Sequence, residues 1–188
     1  MNFIRTKISD VIIIEPKVFE DNRGYFFESF RQDLFEEFIN KKINFVQENE
    51  SKSHYGVLRG LHFQKPPFSQ AKLVRVIHGS VIDVAVDLRK KSPDFKKYVK
   101  VKLSSENKRQ LFIPRGFAHG FVVTSPKVIL SYKVDNYYSK ESDSGFKYDD
   151  PLIGIEWGID SNDITLSEKD TNAQTLEKWL KTPESDHF

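Results

Sequence analysis

Short apolar runs, each ending at a turn-forming residue, set the pattern of hydrophobic and polar positions along this chain. Eight runs are rich in β-branched or aromatic residues and are bounded by Gly, Pro, Ser, Asn or Asp, which is typical of strands. A helix is predicted in "RQDLFEEFINKK" (31–42), where Leu34, Phe35, Phe38 and Ile39 lie at helical spacing, and a second in "NAQTLEKWLK" (172–181). The predicted strands are "VIIIEP", "GYFFESF", "KLVRVIHG", "SVIDVAVDL", "KYVKVKL", "RQLFIP", "HGFVVTS" and "VILSYKV".

This strand-dominated pattern predicts an all-β protein with few and short helices. The 16 phenylalanines suggest a bulky core, and with strands of this length they favour an antiparallel sandwich or barrel. A chain of 188 residues is most simply one domain, residues 1–188, with 175–188 as a short helical or flexible tail.

Composition narrows the class of protein further. Cysteine is absent, which excludes disulfides and thiolate metal sites. No apolar run approaches the roughly 20 residues of a membrane span, and "MNFIRTKISD" lacks the apolar core of a signal peptide, so a soluble cytoplasmic protein is expected. The net charge of +2 is too small to suggest a nucleic-acid partner, and the basic run "RKKSPDFKKYVKVK" is expected to be a solvated turn and strand.

The stretch "GVLRGLHFQ" (56–64) places an arginine and a histidine in an otherwise strand-like apolar run. On an unbroken strand Arg59 and His62 would point to opposite faces. Gly60 lies between them, and a glycine inside a strand often marks a bulge that can turn both side chains toward one cavity. For this segment taken alone, the favoured interpretation is instead an arginine at the rim and a satisfied core histidine.

Several further segments concentrate polar groups that a core would not select. Together, "GVLRGLH", "KLVRV", "ENKRQL", "IPRGFAHGF" and "LSEKD", in this order and at these intervals, resemble the dTDP-4-dehydrorhamnose 3,5-epimerase family. The resemblance extends from about residue 4 to residue 173. It implies a cupin-type jelly-roll β-barrel with a few short peripheral helices, and it implies an isomerase.

The same motifs differ from those of metal-binding cupins in two positions. Where such cupins carry a second histidine and a glutamate, this sequence carries Gln64 and Lys72, while His62 and His119 remain in their expected places. An ammonium group would repel a divalent cation, so no metal is expected. Lys72 could instead stabilise the oxygen of an enolate formed next to a ketone.

The family resemblance assigns roles to four catalytic candidates. His62 is the base that removes a proton α to the C4 ketone, Asp170 holds its tautomer, Tyr132 is the general acid and Lys72 stabilises the enolate oxygen. From local sequence alone, a surface turn or helix cap is favoured for Asp170. The alternatives for the other two are a core tyrosine for Tyr132 and a structural strand histidine for His119.

The resemblance also implies a nucleotide-sugar site. Arg23 and Arg59 suit the diphosphate because guanidinium binds such anions in a bidentate manner. Tyr138 is expected to stack on thymine, and Arg23 is expected to cross a homodimer interface formed by strands around "VIIIEPKVFEDNRG". Nothing in the sequence implies ATP, NAD or another cofactor. The remaining substrate-binding candidates are Glu28, Gln47, Asn49, Lys72, His119, Asp143 and Lys169.

The leading hypothesis is therefore cofactor-independent epimerisation of dTDP-4-dehydro-6-deoxy-D-glucose at C3 and C5 to dTDP-4-dehydro-L-rhamnose, in dTDP-L-rhamnose biosynthesis. Epimerisation of a related dTDP-4-keto-6-deoxyhexose at one carbon would use the same residues. A non-catalytic sugar-nucleotide-binding cupin is favoured only if the base or the acid is lost, and a nucleic-acid-binding barrel is disfavoured by the near-neutral charge.

Overall fold

The computed structural model describes residues 1–188, which form mostly antiparallel strands. Three short α-helices are present: α1 (Gln32–Ile39), α2 (Glu168–Thr171) and α3 (Leu176–Leu180), with 3₁₀ turns at Ser161–Asp163 and Pro183–His187. The strands are β1 (Asn2–Arg5), β2 (Ile12–Glu15), β3 (Phe19–Asp21), β4 (Gly24–Phe26), β5 (Gln47–His54), β6 (Leu58–Gln64), β7 (Lys72–His78), β8 (Ser80–Asp87), β9 (Tyr98–Ser104), β10 (Gln110–Ile113), β11 (Phe117–Val123), β12 (Lys127–Val134) and β13 (Asp143–Gly145).

Two sheets face each other across the main core. The six-stranded sheet has the order β1-β2-β10-β7-β12-β5, the five-stranded sheet has the order β13-β6-β11-β8-β9, and β3 and β4 form a separate hairpin. A cluster of 16 buried residues combines Val74 and Leu130 of the first sheet with Val81 and Val123 of the second. The predicted all-β jelly roll with short peripheral helices is thus confirmed.

The outer faces of the sheets are covered by different segments. Phe35 of α1 packs on the outer face of the six-stranded sheet, with its ring centroid 4.8 Å from that of Phe112. Trp157 and Trp179 cover the five-stranded sheet from outside. Apolar residues thus fill both outer layers and one part of the space between the sheets. The other part of that space is lined by polar side chains and contains a cavity.

The observed helices follow the predicted ones closely. The run 31–42 contains α1, which ends at Asn40 in the left-handed conformation (φ 51°). The run 172–181 contains only the five-residue α3, whose N-cap Thr175 accepts a hydrogen bond from the backbone N–H of Lys178. The basic run around residue 97 leads into β9, an edge strand whose Lys100 and Lys102 are exposed, as expected of a solvated strand.

One predicted strand is shorter than expected, and one long strand was not predicted. The segment "GYFFESF" forms a strand only over Gly24–Phe26, because its sole pairing partner is the three-residue β3. The strand β5, with the sequence QENESKSH, was not predicted because it contains no apolar residue. It nevertheless pairs with β12 along its whole length, from Gln47 opposite Val134 to His54 opposite Lys127.

Candidate active site

A cavity of about 400 Å³ opens between the two sheets and collects most of the predicted catalytic and binding side chains. A larger recess of about 580 Å³ lies beside α1, but it contains none of these residues. Two of its three arginines, Arg89 and Arg115, are already bound to Asp87 and Asp135. The smaller cavity is therefore the candidate site, and its predicted residues are Arg59, His62, Lys72, His119, Tyr132, Lys169 and Asp170.

A one-residue bulge at Gly60 turns Arg59 and His62 toward this cavity. His62 lies opposite His119 and Arg59 opposite Phe121, so three steps along β6 match two steps along β11. Gly60 has φ +130°, and a Cβ there would lie 2.5 Å from Gly120 Cα. Only glycine fits both the backbone angle and the close approach. The bulge hypothesis is thus confirmed, and both side chains line the same cavity.

His62 is bound to Asp170 at the edge of the cavity. Its Nε2–H donates to Asp170 Oδ1 at 2.5 Å, and Asp170 is 4% exposed in the single turn of α2. Ser167 caps this turn, and its Oγ donates to Asp170 Oδ2 at 2.7 Å. Burial alone would raise the pKa of Asp170, but the bonds from His62 and Ser167 outweigh burial and lower it. With Nε2 bound to a carboxylate, Nδ1 is left as the proton acceptor.

Lys72 lies at the start of β7, opposite Val134 of β12, with its side chain in the cavity. Desolvation by burial lowers its pKa to about 8, against the attraction of Asp83 and Asp143. It is still mostly protonated at neutral pH. The cavity therefore holds a positive charge at neutral pH.

Tyr132 of β12 reaches the cavity from the six-stranded sheet, whereas His62 reaches it from the five-stranded sheet. Burial raises the pKa of Tyr132, although the charge of Arg59 and a hydrogen bond with Asn49 oppose this. The phenol therefore keeps its proton at neutral pH. An imidazole and a protonated phenol thus approach the cavity from two facing sheets.

His119 forms a second histidine–carboxylate pair, which the sequence did not predict. Its Nε2 lies 3.0 Å and 3.1 Å from the two carboxylate oxygens of Asp83 on β8, and Asp83 has no exposed surface. Burial lowers the pKa of His119, so the ring is neutral at pH 7. One signal was available: Asp83 interrupts the apolar strand "SVIDVAVDL" with a charged residue.

Two further polar residues at the cavity were not singled out from the sequence. Ser51 of β5 lines the cavity, and its buried hydroxyl has no hydrogen-bond partner in the chain. Ser167 holds Asp170, as described above. Ser167 lies in "LSEKD", one of the segments that carry the family resemblance, but a serine in a polar run gives no signal of its own.

The predicted nucleotide-binding residues form a polar rim beside the cavity. Gln47 Nε2 donates to Asn49 Oδ1 at 2.9 Å, and Gln47 Oε1 accepts the backbone N–H of Tyr138 at 3.1 Å. The Tyr138 ring is exposed, and its hydroxyl donates to Asp143 Oδ2 at 3.2 Å. Lys169 pairs with the same carboxylate at 2.5 Å. The rim thus connects the cavity to an exposed aromatic ring.

Arg23 and Glu28 lie away from the cavity of their own chain. Arg23 is on the β3–β4 hairpin, 86% exposed, and pairs with Asp21 at 2.6 Å. Glu28 pairs with Arg31 at 3.4 Å. The same hairpin exposes the rings of Phe19, Tyr25 and Phe26. Within one chain, the structure does not bring these two residues to the other candidates.

Gln64, which stands where metal-binding cupins carry their second histidine, has a structural role. Its Nε2 donates to the carbonyl oxygens of Phe68 at 2.8 Å and Tyr137 at 3.1 Å, and its Oε1 accepts the N–H of Ser139 at 2.6 Å. No group of three or more His, Cys, Asp or Glu side chains is placed to hold a metal ion.

No helix is long and apolar enough to span a membrane.

Comparison with known proteins gives consistent matches over nearly the whole chain. Residues 5–178 match the family model described as dTDP-4-dehydrorhamnose 3,5-epimerase. The enzyme of that name from Shigella flexneri is 56% identical over 93% of this chain and 95% of its own length. The Salmonella typhimurium enzyme is 54% identical over 97% and 99%. A crystal structure of the dTDP-6-deoxy-D-glucose-3,5-epimerase from Legionella pneumophila in complex with dTDP-4-keto-L-rhamnose superposes with a TM-score of 0.92, at 47% identity, over 98% of this chain and 96% of that one.

Proposed function

This chain belongs to the dTDP-4-dehydrorhamnose 3,5-epimerase family, and from that premise we propose how its residues carry out the reaction. It is an isomerase that converts dTDP-4-dehydro-6-deoxy-D-glucose into dTDP-4-dehydro-L-rhamnose, a step of dTDP-L-rhamnose biosynthesis. We place this activity in one domain spanning residues 1–188, in the cytoplasm, without a metal or cofactor. The observation that carries the proposal is the cavity in which the His62–Asp170 pair lies together with the ammonium of Lys72 and the protonated phenol of Tyr132.

His62 acts as the base. The ketone at C4 makes the hydrogens at C3 and C5 acidic, and Nδ1 of His62 accepts one of them while the electron pair moves to the C4 oxygen. The Asp170 carboxylate, bound to Nε2, stabilises the imidazolium that forms. The low pKa of Asp170 keeps it a carboxylate, so it stabilises the charge without taking the proton.

Lys72 stabilises the enolate oxygen. Its ammonium is half-buried in the cavity, where a charge interacts more strongly than in water. Because its pKa is about 8, the ammonium persists at neutral pH and is lost in mildly alkaline solution. This charge takes the place of the Lewis acid that a metal cupin would use.

Tyr132 returns a proton to the opposite face of the sugar. In a glucose-configured chair, the axial hydrogens at C3 and C5 lie on the same face of the ring. One base can therefore serve both carbons, and one acid on the other face can complete both inversions. Tyr132 projects from β12 of the opposite sheet, which suits it to this role.

The polar rim binds the nucleotide. Arg59 has no carboxylate partner and binds only Ser53 Oγ, at 3.2 Å, so its guanidinium is available to the diphosphate. Tyr138 stacks on the thymine, and the rim polar residues contact the nucleotide and sugar. His119 lines the sugar site. The contributing rim residues are Gln47, Asn49, Asp143 and Lys169.

A second copy of this chain completes the site. The β3–β4 hairpin exposes Phe19, Tyr25 and Phe26, and such an aromatic surface is suited to burial against a partner. We propose a homodimer in which this hairpin carries Arg23 and Glu28 to the cavity of the other copy. This arrangement explains why both residues lie away from the cavity of their own chain.

Incubation with dTDP-4-dehydro-6-deoxy-D-glucose in deuterated water tests the proposal. Deuterium at both C3 and C5 of an L-rhamno product is expected. Deuterium at one carbon would instead indicate a single-carbon epimerase, and no deuterium would indicate a non-catalytic binding protein. His62→Ala should abolish incorporation, whereas His54→Ala, which removes an exposed histidine on β5 outside the cavity, should not.

A further inference from the structure

Asp83 is a fully buried carboxylate that none of the proposed steps uses. It lies on β8 opposite Phe121 of β11, and both residues face the space between the sheets. Its only hydrogen-bond partner is Nε2 of His119. A buried carboxylate normally needs a compensating positive charge, because removing it from water is costly. His119 does not supply that charge, since it is neutral at pH 7.

Of the carboxylates around Lys72, Asp83 is the one that has no other positive partner, so it is available as the counter-charge of Lys72. Asp170 is bound to His62, and Asp143 is bound to Lys169 at 2.5 Å. Lys72 itself forms no ion pair in the chain. Titratable groups face it from every element around the cavity: Asp83 on β8, His119 on β11, Arg59 and His62 on β6, Tyr132 on β12, and Asp143 with Lys169 at the rim.

We propose that Asp83 is a positioning residue: its carboxylate keeps Lys72 protonated inside the cavity, and its bond to Nε2 leaves Nδ1 of His119 as a hydrogen-bond acceptor. The inference rests on the proposed function for its catalytic meaning, because a neutral Lys72 could not stabilise an enolate oxygen. The effect of Asp83 on the charge of Lys72 does not depend on that function. Asp83 ranks first among the charges that oppose the effect of burial on the Lys72 pKa.

Asp83→Asn removes the charge while keeping the shape of the side chain. The amide oxygen can still accept a hydrogen bond from His119, so packing should change little. Loss of a nearby opposite charge should lower the pKa of Lys72 by about one unit or more. Starting from about 8, this would leave much of Lys72 uncharged at neutral pH.

NMR titration of protein labelled with ¹³C at lysine Cε measures this directly, with Lys72 assigned from the signal missing in Lys72→Met. Asp83→Asn should move the Lys72 titration to lower pH by about one unit or more. The alkaline limb of the pH–rate profile should move with it. Asp87→Asn is the matched control, because Asp87 is equally buried on β8 but is bound to Arg89 and Ser92.

An unchanged Lys72 titration in Asp83→Asn, or an equal shift in Asp87→Asn, would overturn the inference. If Asp83→Asn does not fold, Asp83→Ser also removes the charge and leaves a hydroxyl acceptor for His119, and the same shift is expected. The titration needs no substrate. If Asp83→Asn shows the shift but the wild-type protein has no epimerase activity, the proposed function is refuted and the role of Asp83 in holding the charge of Lys72 is supported.

Discussion

Replacing Lys72 with methionine should remove most of the epimerase activity and at the same time raise the free energy of unfolding. Lys72 is half-buried and its pKa falls from 10.5 in a free lysine to about 8. At 1.36 kcal/mol per unit, holding this charge in the folded protein at pH 7 costs at most about 3 kcal/mol. Methionine is similar in length and carries no charge. The loss of the attraction between Lys72 and Asp83 is already counted, because the pKa of about 8 is the net result of burial and of that attraction. The free energy of unfolding should therefore rise by one to three kcal/mol, as an order-of-magnitude range.

The pH dependence of this difference follows from proton binding. Below pH 8, Lys72 is charged in both the folded and the unfolded chain, and the penalty is complete. As pH rises from about 8 toward 10.5, the unfolded chain binds more protons than the folded one, so the wild-type protein gains stability. The advantage of the methionine variant should therefore shrink over this range and vanish above it.

Urea unfolding followed by circular dichroism at pH 7, 8, 9 and 10 would measure this difference. Lys102→Met removes an exposed lysine from the outer face of β9 and should change stability by less than about 0.5 kcal/mol. A Lys72→Met variant that is no more stable than wild type at pH 7, or whose advantage grows with pH, would refute the reasoning.

Three other substitutions test the proposed roles. Asp170→Asn should reduce kcat by up to about 10⁴-fold, because the amide no longer holds the tautomer of His62. Substrate affinity should stay nearly unchanged, and a large rise in Kd would contradict this role. Tyr132→Phe should lose about 10²–10⁴-fold in inversion but less in deuterium wash-in, and equal losses would mean that Tyr132 helps to form the enolate. Arg23→Ala should raise KM by about tenfold or more. Sedimentation should show a dimer, and an active monomer at micromolar concentration would exclude the shared site.

The sequence was most informative where a residue conflicts with its surroundings. Gly60 between Arg59 and His62 raised the hypothesis of a bulge, because alternation along a strand is a strict rule that a glycine can locally break, although the segment alone favoured a core histidine. The helix at 31–42 followed from a regular feature instead, an apolar stripe at helical spacing. Local pattern was sufficient for the helix and only suggested the bulge.

The rest of the site depends on contacts between distant segments. The strand β5 was missed because its inward face contacts a polar cavity rather than a core, so no apolar alternation marks it. The local sequence around Asp170 suggested a cap or turn, and the residue does lie in a helical turn, capped by Ser167. Its bond to His62 joins residues 108 positions apart, which no local pattern encodes. The pairing of Asp83 with His119 was likewise set by strand register.

The contact between Gly60 and Gly120 limits how this site can change during evolution. A Cβ at Gly60 would meet Gly120 Cα, and a Cβ at Gly120 would lie 2.9 Å from the carbonyl oxygen of Arg59. Enlarging either glycine would push β6 away from β11, and with it His62 away from His119. No compensating change at the other position can relieve the clash, because neither residue can become smaller. The two strands are therefore held at a fixed separation, so the shape of the cavity can change through the side chains that line it but not through a wider spacing of β6 and β11.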